Sequence, residues 1–221
     1  MPHQAQKVRI LRREIMKWGK GHLRNFPWRV SNNPYRILIA EMMLRRTRAD
    51  QVKNAYESFL RAFPNVSSFA NSNAKTLRRI LRPIGLRWRA ENFVDLAKCL
   101  RVRKVRRITG SKQKLYALPG VGPYVGNSVL CFAFSKRCEI VDTNVVRVIG
   151  RVFGLKSGPD SRRNSEFIQL ARAALPLTNV RLYNYALLDF ASLICTSKSP
   201  NHAECPLLFI CSYAKKRGVR T

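Results

Sequence analysis

One five-residue segment and one aspartate carry the strongest chemical signal in the sequence. Leu118-Pro119-Gly120-Val121-Gly122 separates two helix-permissive stretches, and Asp142 follows Gly122 by twenty positions. Two glycines allow a tight turn between helices, and the N–H groups that begin the second helix suit a bound phosphate. A phosphate-binding hairpin followed by a positioned carboxylate indicates chemistry on a nucleic acid.

Asp142 directly precedes Thr143, where a new helix is expected to begin. The positive end of that helix stabilises a carboxylate anion, so we expect the pKa of Asp142 to be lowered. An anionic carboxylate beside a reacting sugar can stabilise an oxocarbenium-like cation or position a water molecule. The alternative is simple N-capping by Asp142, and the two roles are compatible.

Glu41 is the only acidic residue in the apolar stretch 37–44. If the side chain is buried, burial penalises its charged form, and we expect a raised pKa. Such a group can serve as a general acid near neutral pH. The alternative is a glutamate on the exposed face of a helix. Opposite pKa shifts at Glu41 and Asp142 would suit one proton donor and one stabilising anion.

Three of the six cysteines lie close together near the end of the chain, with a histidine among them. The pattern is Cys195-x6-His202-x2-Cys205-x5-Cys211. Four such ligands can hold an iron–sulfur cluster or a zinc ion. The alternative is three structural thiols and an exposed histidine.

The elements that must position these residues are predicted to be helices. Apolar residues recur at helical spacing, and no run of alternating residues predicts strands, so we expect an all-α fold. The predicted helices are 8–18, 35–44, 75–81, 90–100, 112–118, 123–134, 144–153, 165–174 and 184–194.

The charge of the chain indicates a polyanionic partner. The sequence has 42 Lys and Arg against 12 Asp and Glu, a formal net charge of +30. No acid occurs from Leu96 to Arg137, a stretch that contains ten basic residues. A ribosomal or non-specific basic protein is the alternative, although a hydrophobic content of 46% predicts a buried core. The uncharged stretch 115–135 contains prolines and glycines, so we expect no membrane span and a cytosolic or nucleoid location.

Several motifs of this sequence, and the order in which they occur, resemble those of the helix-hairpin-helix DNA glycosylases of the endonuclease III and MutY superfamily. The resemblance covers about residues 24–211. Its motifs are Phe26-Pro27-Trp28-Arg29, Pro34-Tyr35, Glu41-Met42-Met43-Leu44-Arg45-Arg46-Thr47, Ile84-Gly85-Leu86, Arg89-Ala90, Leu118-Pro119-Gly120-Val121-Gly122, Val141-Asp142-Thr143-Asn144-Val145-Val146-Arg147-Val148 and the terminal cysteines.

The resemblance implies two helical lobes with a DNA cleft between them. A six-helix barrel containing the hairpin would span 24–135, and segments 1–23 and 136–221 would form the second lobe. A monomer would bind double-stranded DNA and flip the mismatched or damaged base into a pocket. Asp142 matches the essential aspartate of the family, and Gly120, Val121 and Gly122 match its phosphate-binding hairpin.

The residue at position 124 distinguishes subfamilies. The hairpin motif of endonuclease III resembles Leu-Pro-Gly-Val-Gly-x-Lys, and the lysine that stands where this chain has Tyr124 forms a Schiff base with the sugar. Tyr124 has no amine, so water is the expected nucleophile. Tyr124, together with Arg45 and Arg46, looks most like the archaeal Mig-type thymine/uracil mismatch glycosylases. We expect Tyr124 to shape the base pocket.

Three further residues are candidates for DNA contact. Arg45 and Arg46 can enter the gap left by a flipped base and bind an orphan guanine, or they can contact phosphate. Leu86 can wedge the base stack open, or it can pack within its own loop.

The family's cluster ligands resemble Cys-x6-Cys-x2-Cys-x5-Cys, and here His202 replaces the second cysteine. A [4Fe-4S] cluster is the expected cofactor; a zinc ion or no metal are the alternatives. The expected activity is monofunctional removal of thymine or uracil mispaired with guanine. The alternatives are a MutY-like adenine glycosylase without its C-terminal domain, since the chain ends ten residues after Cys211, and a non-catalytic helix-hairpin-helix DNA-binding protein.

Overall fold

The fold is all-α, as predicted. A computed structural model describes residues 3–85 and 87–219, and none of these residues forms a strand. The chain divides into two compact units. The hairpin unit is Asn25–Lys136, and the terminal unit is Met1–Arg24 with Arg137–Thr221. These limits differ by one residue from those predicted.

The hairpin unit contains helices α2 to α8. Their bounds are α2 Pro34–Leu44, α3 Ala49–Ala62, α4 Val66–Ala70, α5 Ala74–Leu81, α6 Arg87–Val102, α7 Lys112–Tyr116 and α8 Pro123–Phe134. A 3₁₀ helix, Arg82–Ile84, follows α5.

Helix α2 lies at the centre of the hairpin unit. The Asn33 side chain accepts the N–H groups of Tyr35 and Arg36 at 3.0 and 3.2 Å, and Pro34 fixes the first helical residue. Eight of its eleven residues are buried, and it packs against α8, which is also largely buried. Phe59, Phe69 and Phe93 fill the same core with edge-to-face contacts.

The terminal unit contains α1 and the last four α-helices of the described chain. Their bounds are α1 Gln4–His22, α9 Thr143–Phe153, α10 Ser165–Ala174, α11 Val180–Leu193 and α12 Ser212–Lys216. Helix α1 packs along α11, and both contribute to one apolar core with α9 and α10. Where α1 ends, the backbone N–H and the side chain of Arg24 both bind the fully buried carboxylate of Asp189.

The predicted helices are present; α8 and α10 match the predicted bounds, and the ends of the others differ by up to four residues. The hairpin helix predicted for 112–118 ends at Tyr116, before Pro119. Helix α3 was not predicted, although Val52, Ala55, Tyr56 and Phe59 give it a clear apolar face. Within the described part of the chain, no helix combines the length and apolar character of a membrane span.

Candidate nucleic-acid interface and catalytic residues

The predicted hairpin turn forms between α7 and α8. The N–H of Val121 donates to the carbonyl of Leu118 at 3.1 Å, which closes the turn. Gly120 has φ +76°, in the left-handed region that favours glycine. A Cβ atom here would also lie 3.1 Å from Met42 Cε, so the turn lies directly against α2. The side chain of Val121 is buried, which anchors the turn in the core.

The start of α8 can receive an anion. Gly122 is the N-cap residue and has no side chain to satisfy the first-turn N–H groups. Pro123, the first helical residue, lacks an N–H and presets the helical φ. The Tyr116 hydroxyl donates to Asn127 Oδ1 at 2.8 Å and ties α7 to α8. The hairpin therefore presents the positive end of a twelve-residue helix on a rigid support.

Asp142 is the N-cap of α9. Its Oδ1 accepts the Val145 N–H at 2.7 Å, and its Oδ2 accepts the Asn144 side-chain amide at 2.7 Å. The predicted capping role is confirmed. The predicted direction of the pKa shift is wrong: burial raises the pKa of Asp142 above its usual value, although these hydrogen bonds and Arg147 lower it. The helix start favours the anion, but the loss of solvation is the larger effect.

Glu41 lies in α2 and is 2% exposed. The exposed-face alternative is therefore wrong, and the sequence-based prediction of a buried acid is confirmed. Its position in the core of the hairpin unit is unusual for a glutamate, because a buried charge is costly without compensation. A role for Glu41 on a bound ligand stays a prediction.

Tyr124 is the second residue of α8, two positions after Gly122, and is partly buried. The phenol therefore stands on the helix whose N-terminus forms the candidate phosphate site. Its placement follows from the hairpin sequence, because Pro123 fixes where α8 begins.

Arg45 and Arg46 follow α2 but differ in their surroundings. Arg45 donates to the carbonyl of Gly120 at 3.2 Å, and its guanidinium lies 4.9 Å from the centroid of the Trp88 ring. Arg46 is exposed and has φ +57°, which costs a non-glycine residue about 1–2 kcal/mol. Arg45 thus connects α2 to the hairpin turn, and Arg46 is displayed to solvent. Leu86 lies outside the described residues.

The three terminal cysteines are brought together in the terminal unit. The pKa of the Cys205 thiol is raised to about 11, mainly by burial and to a smaller extent by the neighbouring Cys195 and Cys211. Burial also raises the pKa of Cys211, with a smaller contribution from Cys195. The three sulfurs therefore interact electrostatically, and a cationic group among them would relieve that repulsion.

His202 lies in the same loop as the cysteines, and its carbonyl accepts the Cys205 N–H at 3.2 Å. Its ring centroid is 6.5 Å from that of Tyr213, two residues after Cys211. Among residues 3–85 and 87–219, no group of three His, Cys, Asp or Glu side chains is placed to hold a metal ion. An iron–sulfur cluster is larger than one ion, so its ligands stand further apart. The mutual electrostatic effects of Cys195, Cys205 and Cys211 place the three thiols in one region, as a group larger than one ion requires.

Two arginines of α9 hold the segment that begins at Cys195. Arg147 donates to the carbonyls of Cys195 at 2.8 Å and Ala191 at 2.7 Å. Arg151 donates to the carbonyl of Thr196 at 2.7 Å and approaches the sulfur of Cys195 at 3.4 Å. The helix that carries Asp142 at its start therefore also anchors the cysteine loop.

No role for Arg89, Arg147 or Arg151 was predicted from the sequence. Arg89 is 1% exposed in α6 and bonds to two separate loops. A charged residue on the apolar face of a helix was the available signal, since arginine is rarely buried without acceptors. Arg147 and Arg151 are spaced four residues apart, which places both on one side of α9.

These features define a class of protein. The family model of the HhH-GPD superfamily of base excision DNA repair proteins matches residues 39–172. This range includes Glu41, the hairpin and Asp142. The chain belongs to this superfamily, as the motifs of the sequence predicted.

Relatives with known names are similar over nearly the whole chain. A thymine-DNA glycosylase of Aeropyrum pernix is 36% identical over 94% of this chain and 95% of its own. A thymine/uracil-DNA glycosylase of Methanothermobacter thermautotrophicus is 32% identical over 96% of each chain. The solved structure of a thermostable thymine-DNA glycosylase has a TM-score of 0.85 at 33% identity, covering 95% of this chain and 97% of that one.

Proposed function

We propose that this protein is a DNA glycosylase that removes thymine or uracil paired with guanine from double-stranded DNA. The observation that carries the proposal is Asp142, a carboxylate fixed by two hydrogen bonds at a helix start. It stands in a chain that resembles thymine glycosylases along nearly its full length. The net charge of +30 supports binding to a polyanion.

The reaction is hydrolysis of one N-glycosidic bond. The bond between the sugar C1′ and the pyrimidine N1 breaks, and positive charge develops on the sugar. Water then forms a bond to C1′, its proton is lost, and the base leaves with a proton. Asp142 acts as an anion that stabilises the sugar cation and orients the water. Because burial raises its pKa, the active anionic form is lost at a higher pH than for an ordinary aspartate.

Glu41 and Tyr124 act on the base. Glu41 is buried in α2, where few waters compete for its carboxyl group. It donates a proton to the departing pyrimidine or binds one of its polar edge atoms. Tyr124 bounds the base on the α8 side. Neither residue is an amine, so the enzyme is monofunctional and water is the nucleophile.

The hairpin binds the DNA backbone. A phosphate accepts hydrogen bonds from the N–H groups at the start of α8, where Gly122 leaves space for it. Arg46 binds the base left unpaired opposite the flipped nucleotide, and guanine offers two acceptors that match a guanidinium. Leu86 is proposed to fill the gap in the base stack. The protein acts as a monomer on the nucleoid.

The cysteine loop is proposed to hold a [4Fe-4S] cluster. Cys195, Cys205 and Cys211 supply three thiolates, and His202 supplies the fourth ligand. Such a cluster would supply redox-active iron and would cross-link the cysteine loop to the helices that hold it. The fit rests on two buried thiols, Cys195 and Cys211, and the partly buried Cys205, which interact with one another electrostatically.

A panel of labelled duplexes tests the activity. Duplexes with T·G, U·G, A·G and A opposite oxidised guanine are incubated with excess protein and then treated with alkali. Strand breaks at T and U opposite guanine are expected. Release of adenine alone would establish the MutY-like alternative, and binding without release from any duplex would establish a non-catalytic DNA-binding protein.

A further inference from the structure

Arg89 connects two separate loops of the hairpin unit. Its Nη2 donates to Thr47 Oγ1 at 2.6 Å and to the carbonyl of Arg45, in the loop after α2. Its Nη1 donates to the carbonyls of Ile84 at 2.7 Å and Gly85 at 3.3 Å, in the loop before α6. One guanidinium therefore fixes both loops.

The acceptors of Arg89 lie on either side of Arg46. The carbonyl of Arg45 precedes it and the hydroxyl of Thr47 follows it. Arg46 itself has the left-handed φ of +57°, a conformation that persists only where neighbouring structure enforces it. The two bonds from Nη2 supply that enforcement, and they leave the Arg46 side chain exposed.

The cost of this arrangement indicates that it is not simple packing. All four acceptors of Arg89 are neutral oxygen atoms, and the guanidinium is 1% exposed. Burial and the positive charge of nearby Arg45 both lower the pKa of Arg89. A buried cation beside another cation is expensive, and an apolar side chain would fill the same space at lower cost. The hydrogen bonds to the loops are what an apolar residue cannot provide.

We propose that Arg89 is a positioning residue that holds Arg46 against the unpaired base and thereby sets the preference for guanine opposite the excised pyrimidine. The inference rests on the proposed glycosylase function. Arg89 touches no DNA in this proposal; it acts by fixing the backbone on both sides of Arg46. Removing only the hydrogen bond to Thr47 would weaken the hold of Arg89 on the loop after α2 without removing the buried charge.

Thr47→Val and Arg89→Lys are the test variants. Valine keeps the shape of threonine and removes one acceptor, while lysine keeps the charge but cannot reach both loops with a planar fork. Thr76→Val is the matched control, because Thr76 is a partly buried threonine in α5 of the same unit. Arg46→Ala, alone and combined with Thr47→Val, completes a double-mutant cycle.

Single-turnover release of uracil is measured opposite guanine and opposite an abasic analogue, which offers no base to Arg46. The ratio of these two rates should fall about tenfold in Thr47→Val and Arg89→Lys, the size of a lost base contact, but not in Thr76→Val. Once Arg46 is alanine, Thr47→Val should not lower the ratio further.

An unchanged ratio in a folded Thr47→Val protein, even with both rates reduced, would overturn the inference. Additive effects of Thr47→Val and Arg46→Ala would do the same. Wild-type protein that releases no uracil from either duplex would instead refute the proposed function itself. If Arg89→Lys does not fold, Thr47→Val alone decides the outcome.

Discussion

The ring of Tyr116 lies directly against the backbone of Gly126. A Cβ atom at Gly126 would come within 2.3 Å of Tyr116 Cε1, closer than non-bonded atoms approach. Helices α7 and α8 therefore touch at a point where no side chain fits. The hydrogen bond from the Tyr116 hydroxyl to Asn127 lies beside this contact.

Gly126→Ala should destabilise the protein by about 1–3 kcal/mol, because the added methyl group must displace the ring. Gly21→Ala, in α1, is the matched control: no atom lies within 4 Å of its added Cβ. That variant should be neutral or stabilised by up to about 1 kcal/mol, as alanine favours helix. Urea unfolding followed by circular dichroism measures both. Equal stability of the two variants would contradict this packing.

Asp142→Asn should lower single-turnover base release at least a hundredfold, about the loss seen for a charge-stabilising group. Asparagine is an equally good N-cap, so α9 and DNA affinity should be retained. In the wild type, release should decline on the acid side at a pH above the ordinary aspartate pKa of about 3.9, because burial raises the pKa of Asp142. Near-normal release by the variant would remove Asp142 from the mechanism.

The same substitution should stabilise the folded protein at neutral pH. A carboxyl whose folded pKa is raised binds its proton more tightly when folded, so its contribution to stability falls as pH rises from about 3.9 through the raised value. The Tm of Asp142→Asn should therefore exceed that of the wild type more at pH 7 than at pH 4. Asp50→Asn, at an exposed carboxylate in α3, is the control. A Tm difference independent of pH would contradict the raised pKa.

Borohydride should trap little covalent protein–DNA complex, because Tyr124 offers no amine to the sugar. Strand breaks should need added alkali. Gel electrophoresis of borohydride-treated reactions on U·G duplex measures the trapped fraction, and a DNA lyase that uses lysine serves as the positive control. Efficient trapping by the wild type would show that another amine attacks the sugar.

Anaerobically purified protein should be brown and contain about four irons per chain. Neutral imidazole holds iron less firmly than thiolate, so His202→Cys should prolong the visible absorbance in air and His202→Ala should shorten it. Cys99→Ala, at a free cysteine in α6, should leave the iron content unchanged. Colourless anaerobic protein with neither iron nor zinc would refute the cofactor proposal.

The fold was largely predictable because its long helices carry clear apolar periodicity. The hairpin was predictable because Pro119, Gly120 and Pro123 act locally, through φ and the missing N–H. The burial of Glu41 was also indicated, since every other residue of the stretch 37–44 is apolar.

What sequence could not supply was the balance between competing effects and the contacts between distant residues. The pKa of Asp142 depends on how deeply the surrounding chain covers it, and the helix start alone gave the wrong sign. The role of Arg89 depends on Thr47, 42 residues away in the chain. Position in sequence does not encode such a contact.

Helix α9 begins at the Asp142 cap and carries Arg147 and Arg151, which hold Cys195 and Thr196. An α-helix turns by about 100° and advances by about 1.5 Å per residue. One residue inserted or deleted between Asp142 and Arg147 would therefore rotate the carboxylate by about 100° relative to both arginines. Substitutions can accumulate along this helix, but the number of residues that separates Asp142 from Arg147 and Arg151 is fixed by their relative orientation.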